Sequence, residues 1–495
     1  MGDETKETPK PEHTPPKGSS RELAMTLGGV EHRYQATADW TLLRKNDKPL
    51  AEMFTVHYRL LGAVSKRPIT FVFNGGPGAA SAYLHVGALG PKRVVFEADG
   101  SLPKPPARLA DNLESWLEFT DLVFIDPIGT GFSRVIEEPE PKDGAKEGAK
   151  EGDKDFYKLS RDLESLGELI TRFLSKHHLW SHPVFIAGES YGGFRVAKLV
   201  RLLQQGFGVG LSGAVLISPA LEIHLLDGSD YDVLQWVDVF PSMALSALHH
   251  KRSRAIAAGT PIDEARAQIE AFAAGDLAGA LVRGELMPEA ERKRVFARAA
   301  DLLGVSEAFV AKRGGRVSRE HFVRELLRER HEVCGLYDAS FVAIDPFPDR
   351  DSFQGADPTL FSVERAFTGG INTQLREVLG LETERDYRLL SFDVNESWKL
   401  DGRKHSFELQ VGATDDLRYG MALNPHMRVF VTHGLYDLVT PYFSAERTTK
   451  NMRLQPTQAA NLITRHYRGG HMFYTWEASR RAFRDDMRAF FASAA

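Results

Sequence analysis

A serine hydroxyl attacks an acyl carbon only when the chain lifts it clear of its neighbours and sets a base beside it. Residues Gly188-Glu189-Ser190-Tyr191-Gly192 have the composition for the first requirement. Small residues on both sides let the backbone turn sharply, raising the Ser190 hydroxyl above the end of a strand. By chance alone about one chain in six of this length carries such a G-x-S-x-G pattern, so context must decide. The context agrees. The run VFIAG (184–188) reads as a buried strand, and Val196, Leu199, Val200 and Leu203 follow at helical spacing.

Attack on an acyl group places negative charge on its oxygen, which needs N–H donors already in place. The residue after the nucleophile, Tyr191, offers one. A second glycine-rich loop, Asn74-Gly75-Gly76-Pro77-Gly78, directly follows the apolar run ITFVF (69–73). Glycines there allow a backbone N–H to approach a ligand closely. By itself the loop fits a plain turn equally well; beside the serine motif it gains meaning.

The base and its orienting acid are expected late in the chain, in the order Ser, acid, His. Asp437 lies in HGLYDLVTPY, after the apolar run MRVFVT (427–432). His471 lies in RGGHMFY, after NLITRHY (461–467). Of 17 histidines, His471 alone combines a glycine-flanked loop with the position after the last strand. His433 and His466 read as strand-end residues with structural roles. In this arrangement His471 takes the proton of Ser190 and Asp437 orients the imidazole.

These residues need a frame. Runs at 69–73, 122–126, 184–188, 214–218, 427–432 and 461–467 are short, rich in β-branched or aromatic residues, and bounded by turn residues. Helical patterns alternate with several of them; 155–179 places Phe156, Leu159, Leu163, Leu166, Leu169, Ile170 and Phe173 on one stripe. The alternation predicts an α/β fold with a mostly parallel central sheet and helices on both faces. Residues 30–61, turning at KNDK, predict an antiparallel hairpin at one edge. The stretch 221–390 is dominated by helix signals at 288–304 and 318–330 and reads as an inserted, largely helical cap. The core is then 22–220 with 391–495, closed by a terminal helix at 478–492. Residues 1–21 read as a disordered tail and 137–155 as a solvated surface loop.

Composition narrows the function classes. The 495 residues carry 62 basic and 67 acidic side chains, a formal charge of −5, with both signs dispersed. That pattern predicts neither a nucleic-acid footprint nor a polybasic anchor. No apolar run is long enough to span a bilayer. Cys334 is the only cysteine, so no intramolecular disulfide forms. The N-terminal stretch has no apolar signal region, which predicts a cytoplasmic protein unless a leader has been removed from a periplasmic or secreted one. No metal-ligand spacing or cofactor motif appears, so neither metal nor cofactor is expected. Oligomeric state and side-chain preference are left open.

Four motifs in order resemble the serine carboxypeptidase family: NGGPG (74–78), DPIGTGFS (126–133), GESYGG (188–193), and GLYDLVTP with GGHM (434–441, 469–472). The resemblance covers roughly 30–220 and 391–495. It is closest to bacterial members, where a GALGP run like 87–91 also follows the glycine loop. It implies the α/β-hydrolase fold, a Ser190-Asp437-His471 triad, and an oxyanion hole from Gly76 and Tyr191. It also implies peptide substrates with a free C-terminus, their carboxylate bound by Asn74 and Glu189. An ionised Glu189 would repel that carboxylate, so peptide hydrolysis is expected to favour acidic pH. Three positions depart from the well-known eukaryotic pattern: Val72 stands for tryptophan, Ala79 for cysteine, and Ala88 for a second glutamate, which predicts a milder acidic preference. DPIGTGFS is not followed by G-K-[ST], so it reads as an active-site wall rather than a phosphate loop. An esterase, aminopeptidase or acyltransferase on the same scaffold is the alternative chemistry. A catalytically inactive binding protein is the alternative from another class.

Overall fold

The six apolar runs become six strands of one sheet. The computed structural model describes residues 13–63, 66–136, 155–401 and 411–494. Ten strands form the sheet: β1 (Ser19–Leu27), β2 (Val30–Lys45), β3 (Lys48–Leu60), β4 (Ile69–Phe73), β5 (Asp121–Ile125), β6 (Arg134–Val135), β7 (Val184–Glu189), β8 (Gly213–Ile217), β9 (Arg428–Gly434) and β10 (Leu462–Tyr467). Their order is β1-β2-β3-β5-β4-β7-β8-β9-β10, with β6 added to β3. The first three strands are antiparallel, and β5 joins them antiparallel to β3. From β5 to β10 every neighbouring pair is parallel. The β2–β3 turn is Asn46-Asp47, both at positive φ (48° and 65°), the backbone twist that a two-residue hairpin requires.

Parallel neighbours need crossovers, and the helices supply them on both faces. Helix α1 (Leu159–Lys176) and helix α2 (Tyr191–Gly206) bury Leu163, Leu166, Ile170, Phe194, Leu199 and Leu203 against one face. The terminal helix α8 (Glu477–Ala494) packs Phe483, Met487, Phe490 and Phe491 on the other. Among the described residues no helix is long and apolar enough to cross a membrane.

Three expected boundaries move. β1 begins at Ser19, inside the stretch read as a tail, because its backbone pairs with β2 from Ser19↔Ala38 to Leu27↔Val30. Residues 1–12 lie outside the described residues, as does 137–154 of the expected surface loop. The block 221–390 divides. Helices α3 (Val233–His249), α4 (Ile262–Phe272), α5 (Glu289–Leu303) and α6 (Arg319–Glu325) enclose a core of their own. Helix α7 (Leu360–Asn372) and the chain after it instead bury Phe367, Ile371, Leu375 and Leu389 in the main core beside β1–β3. The helix expected over 318–330 stops at Glu325, and the chain leaves through a 3-10 turn at 328–330 and left-handed His331. Helix α5 matches its signals, with Pro288 before it and Gly304 in the left-handed conformation after it.

Candidate active site

The parallel register brings the strand ends to one edge. Glu189 pairs with Ile217, Ile217 with Thr432, and Gly434 with Tyr467. The residues singled out by sequence follow within a few positions: Ser190 directly after β7, Asp437 three residues after β9, His471 four after β10. Ser190 sits at φ 62°, ψ −124°, an L-residue forced out of the ordinary regions at a strand-to-helix corner. The corner closes only because its flanks are small. A Cβ on Gly188 would lie 2.3 Å from the carbonyl oxygen of Gly192. Glu189 and Tyr191 are buried on either side while Ser190 stays half-exposed.

His471 and Asp437 meet directly. Nδ1 of His471 lies 2.7 Å from Oδ2 of Asp437. Asp437 is fully buried and accepts further bonds from the Val439 N–H at 2.8 Å and the Thr440 N–H at 3.0 Å. The Thr440 hydroxyl donates to Asp437 Oδ2 at 2.8 Å. With Nδ1 tied to a carboxylate, the other ring nitrogen is the one left for proton transfer. Burial opposes charge on His471, but Asp437 and then Glu189 outweigh it and hold its pKa above the usual value. The elbow and the base loop are linked through β8. The Ser190 N–H donates to Ile217 O at 2.9 Å, and the next residue, Ser218, donates its hydroxyl to His471 O at 2.8 Å.

The glycine loop lies against the elbow. A Cβ on Gly75 would stand 2.5 Å from the backbone nitrogens of both Tyr191 and Gly192. Gly76 has φ +96°, a conformation that favours glycine. Asn74 is buried, donates its Nδ2 to Glu189 Oε2, and accepts the Leu84 N–H at 3.1 Å. Burial raises the Glu189 carboxyl to about 7. Asn74 and Glu189 thus form one polar pair next to Ser190.

Several residues that build this edge carry no motif. Tyr474 is buried and directs its hydroxyl at both carboxyl oxygens of Glu189, 3.0 Å from each. Position 88, read as the departure from a two-glutamate pattern, is an alanine, and Glu189 meets a phenol instead. Asp338, buried and raised to about 6 by that burial, accepts the Gly470 N–H at 2.8 Å. His471 donates its own N–H to Tyr337 O, and the two rings lie edge to face at 5.4 Å. The 337–338 segment therefore fixes the histidine loop from across the fold. The only sequence signal for Tyr474 was its place three residues after His471; for Asp338 there was none. Asp126 of DPIGTGFS accepts the Ser81 N–H at 3.0 Å and the Tyr387 hydroxyl at 3.0 Å, bracing the segment after the glycine loop. His433 and His466 pair across β9 and β10, their rings 6.0 Å apart.

Residues 34–221 match the sequence model of the serine carboxypeptidases. That match covers less than half of the chain. The chain is similar to serine carboxypeptidase-like 13 of Arabidopsis thaliana, 28% identical over 156 residues, covering 31% of this chain and 32% of that one. It is also similar to the pheromone-processing carboxypeptidase KEX1 of Phytophthora infestans, 27% identical over 192 residues, covering 37% and 28%. Such alignments span about a third of the relatives' length. Among solved structures, the Kex1(delta)p prohormone-processing carboxypeptidase of Saccharomyces cerevisiae superposes with a TM-score of 0.55 at 15% identity, over 92% of this chain and 91% of that one. That likeness is one of fold: the chain has the α/β-hydrolase architecture. The family match ends before Asp437 and His471, so those two stand on the geometry above.

Proposed function

We propose that this chain is a serine carboxypeptidase that releases C-terminal residues from peptides through an acyl-enzyme. Ser190 attacks the last peptide carbonyl while the free ring nitrogen of His471 accepts its proton, and Asp437 stabilises the resulting imidazolium. The N–H groups of Gly76 and Tyr191 receive the developing oxyanion. His471 then protonates the leaving amine, and water repeats the cycle on the acyl-enzyme. The observation that carries the reading is the buried Asn74–Glu189 pair beside Ser190. A carboxyl raised to about 7 is neutral under mildly acidic conditions, so it can donate to a substrate carboxylate instead of repelling it. The bacterial kind of carboxypeptidase rests on the Gly87-Ala88-Leu89-Gly90-Pro91 run alone; the relatives named above come from a plant and an oomycete.

The deciding experiment compares one peptide as its free acid and as its C-terminal amide. The free acid is expected to be cleaved at least about 10²-fold faster, since the amide leaves the Asn74–Glu189 pair without its ionic partner. Equal rates would refute C-terminal recognition. Ser190→Ala is expected to lower kcat/KM by about 10⁴-fold or more, and full activity in that variant would remove the hydrolase reading altogether.

A further inference from the structure

Helix α2 does more than present Ser190. Five residues into it, Arg195 is 1% exposed and turns back beneath the glycine loop. Its guanidinium binds Asp162 of α1 through two bonds, Nε to Oδ2 at 2.7 Å and Nη2 to Oδ1 at 3.0 Å. Its remaining nitrogen, Nη1, donates to Asn74 O at 2.8 Å and reaches Gly75 O at 3.5 Å. The guanidinium also lies over the rings of Tyr191 at 5.0 Å and Trp398 at 5.7 Å. A planar fork with its charge balanced by a buried carboxylate has one orientation, so it can fix whatever it touches.

What it touches is the peptide that aims the oxyanion donor. In a trans peptide the carbonyl and the N–H point to opposite sides. The Gly75–Gly76 bond is trans, the loop's cis bond being Gly76–Pro77. Gly75 O faces Arg195 on one side and accepts the Ala79 N–H at 3.1 Å. The Gly76 N–H of the same peptide therefore points the other way. The loop meanwhile rests on the nitrogens of Tyr191 and Gly192, so the two oxyanion donors belong to touching pieces of backbone.

We propose that Arg195, oriented by Asp162, is the positioning residue of the oxyanion hole: by holding the carbonyls of Asn74 and Gly75 it sets the direction of the Gly76 N–H. This rests on the assignment of Gly76 and Ser190 made above. A positioning role for the Gly76 N–H predicts a loss concentrated in the transition state, because the Asn74 side chain that faces the substrate carboxylate is held independently, by Glu189 and by the Leu84 N–H.

The test uses the full chain with Arg195→Met and Arg195→Lys, each checked for folding by near-UV circular dichroism. Kinetic constants are measured on a free-acid peptide, and affinity on a peptide aldehyde that Ser190 converts to a tetrahedral adduct. For Arg195→Met, kcat is expected to fall about 10²-fold, as when one oxyanion donor is lost. Aldehyde affinity falls in parallel, and KM stays within about two-fold. Arg195→Lys, which keeps a charged donor but not the fork, recovers about ten-fold of the loss. Unchanged kcat and aldehyde affinity in folded Arg195→Met would overturn the proposal, as would a rise in KM with kcat intact. If Arg195→Met does not fold, Arg195→Lys must still show the loss of kcat at constant KM, and its absence is equally fatal. A p-nitrophenyl ester keeps the two readings apart. It needs the oxyanion hole but no carboxylate site, so it reports on Arg195 even if the wild-type protein cleaves no peptide.

Discussion

In the proposed function Glu189 sets the pH behaviour of the site, and its surroundings decide in which direction. Burial raises its pKa to about 7, against the Tyr474 and Asn74 side chains and nearby His471, which favour its ionised form; Asp437 adds to the rise. Tyr83, whose hydroxyl has no hydrogen-bond partner among the described residues, also faces this group. The competent form is the protonated one, present below about pH 7 and lost as pH rises through that value. Peptide kcat/KM is therefore expected to decline from mildly acidic to mildly alkaline pH, with ester hydrolysis declining less. Tyr474→Phe removes a donor to the carboxylate, so Glu189 holds its proton to higher pH and the alkaline decline moves up. A hydrogen bond to a charged group is worth about 1.5–3 kcal/mol, so the move is about one pH unit or more. Glu189→Gln should abolish that decline. A pH profile unmoved by Tyr474→Phe would separate the tyrosine from the titration of Glu189.

At the scale of elements, the elbow was the most legible part of the chain and the cap the least. Strand β7 and helix α2 announce themselves by a switch of hydrophobic period at Ser190, and the crowding there leaves little choice of residue. Gly188→Ala would drive a methyl to 2.3 Å from a backbone oxygen that cannot swing aside. The variant is expected to lose most fluorophosphonate labelling of Ser190 while its far-UV circular dichroism stays near wild type; undiminished labelling would show the corner to be less rigid than its geometry implies. Arg195 and Asp162 were legible in principle, as charges on otherwise apolar helical stripes, but nothing local says that they meet. The first three residues of β1, Ser19 to Arg21, were assigned to the tail because they are polar and exposed or nearly so, which composition does not separate from a tail. Helix α7 was misplaced for a related reason: amphipathic spacing shows that a face is buried, not against which core.

Across the whole molecule, the helical insertion is tied to the catalytic edge by contacts that only the folded chain creates. Its core takes in Leu435, Tyr436, Leu438 and Tyr442 from around the Asp437 loop. Tyr337 and Asp338 hold the histidine loop. One ion pair fastens the insertion from the side: Arg447 in the helix Tyr442–Lys450 grips Asp238 of α3, Nε to Oδ1 at 2.8 Å and Nη2 to Oδ2 at 2.7 Å. Asp238 is 1% exposed, so its charge depends on that partner. Arg447→Met would leave the carboxylate buried and uncompensated, a change that typically costs about 3–5 kcal/mol. Asp238→Asn, which removes the charge and keeps the shape, should cost less, and the double variant less than the sum of the two. Trp236 lies on the same helix, so unfolding in denaturant followed by tryptophan fluorescence should show the loss. Because the Asp437 loop shares the insertion's core, fluorophosphonate labelling of Ser190 should disappear at the same denaturant concentration as that fluorescence change. Labelling that outlasts it would mean the α/β core keeps its active edge assembled without the insertion.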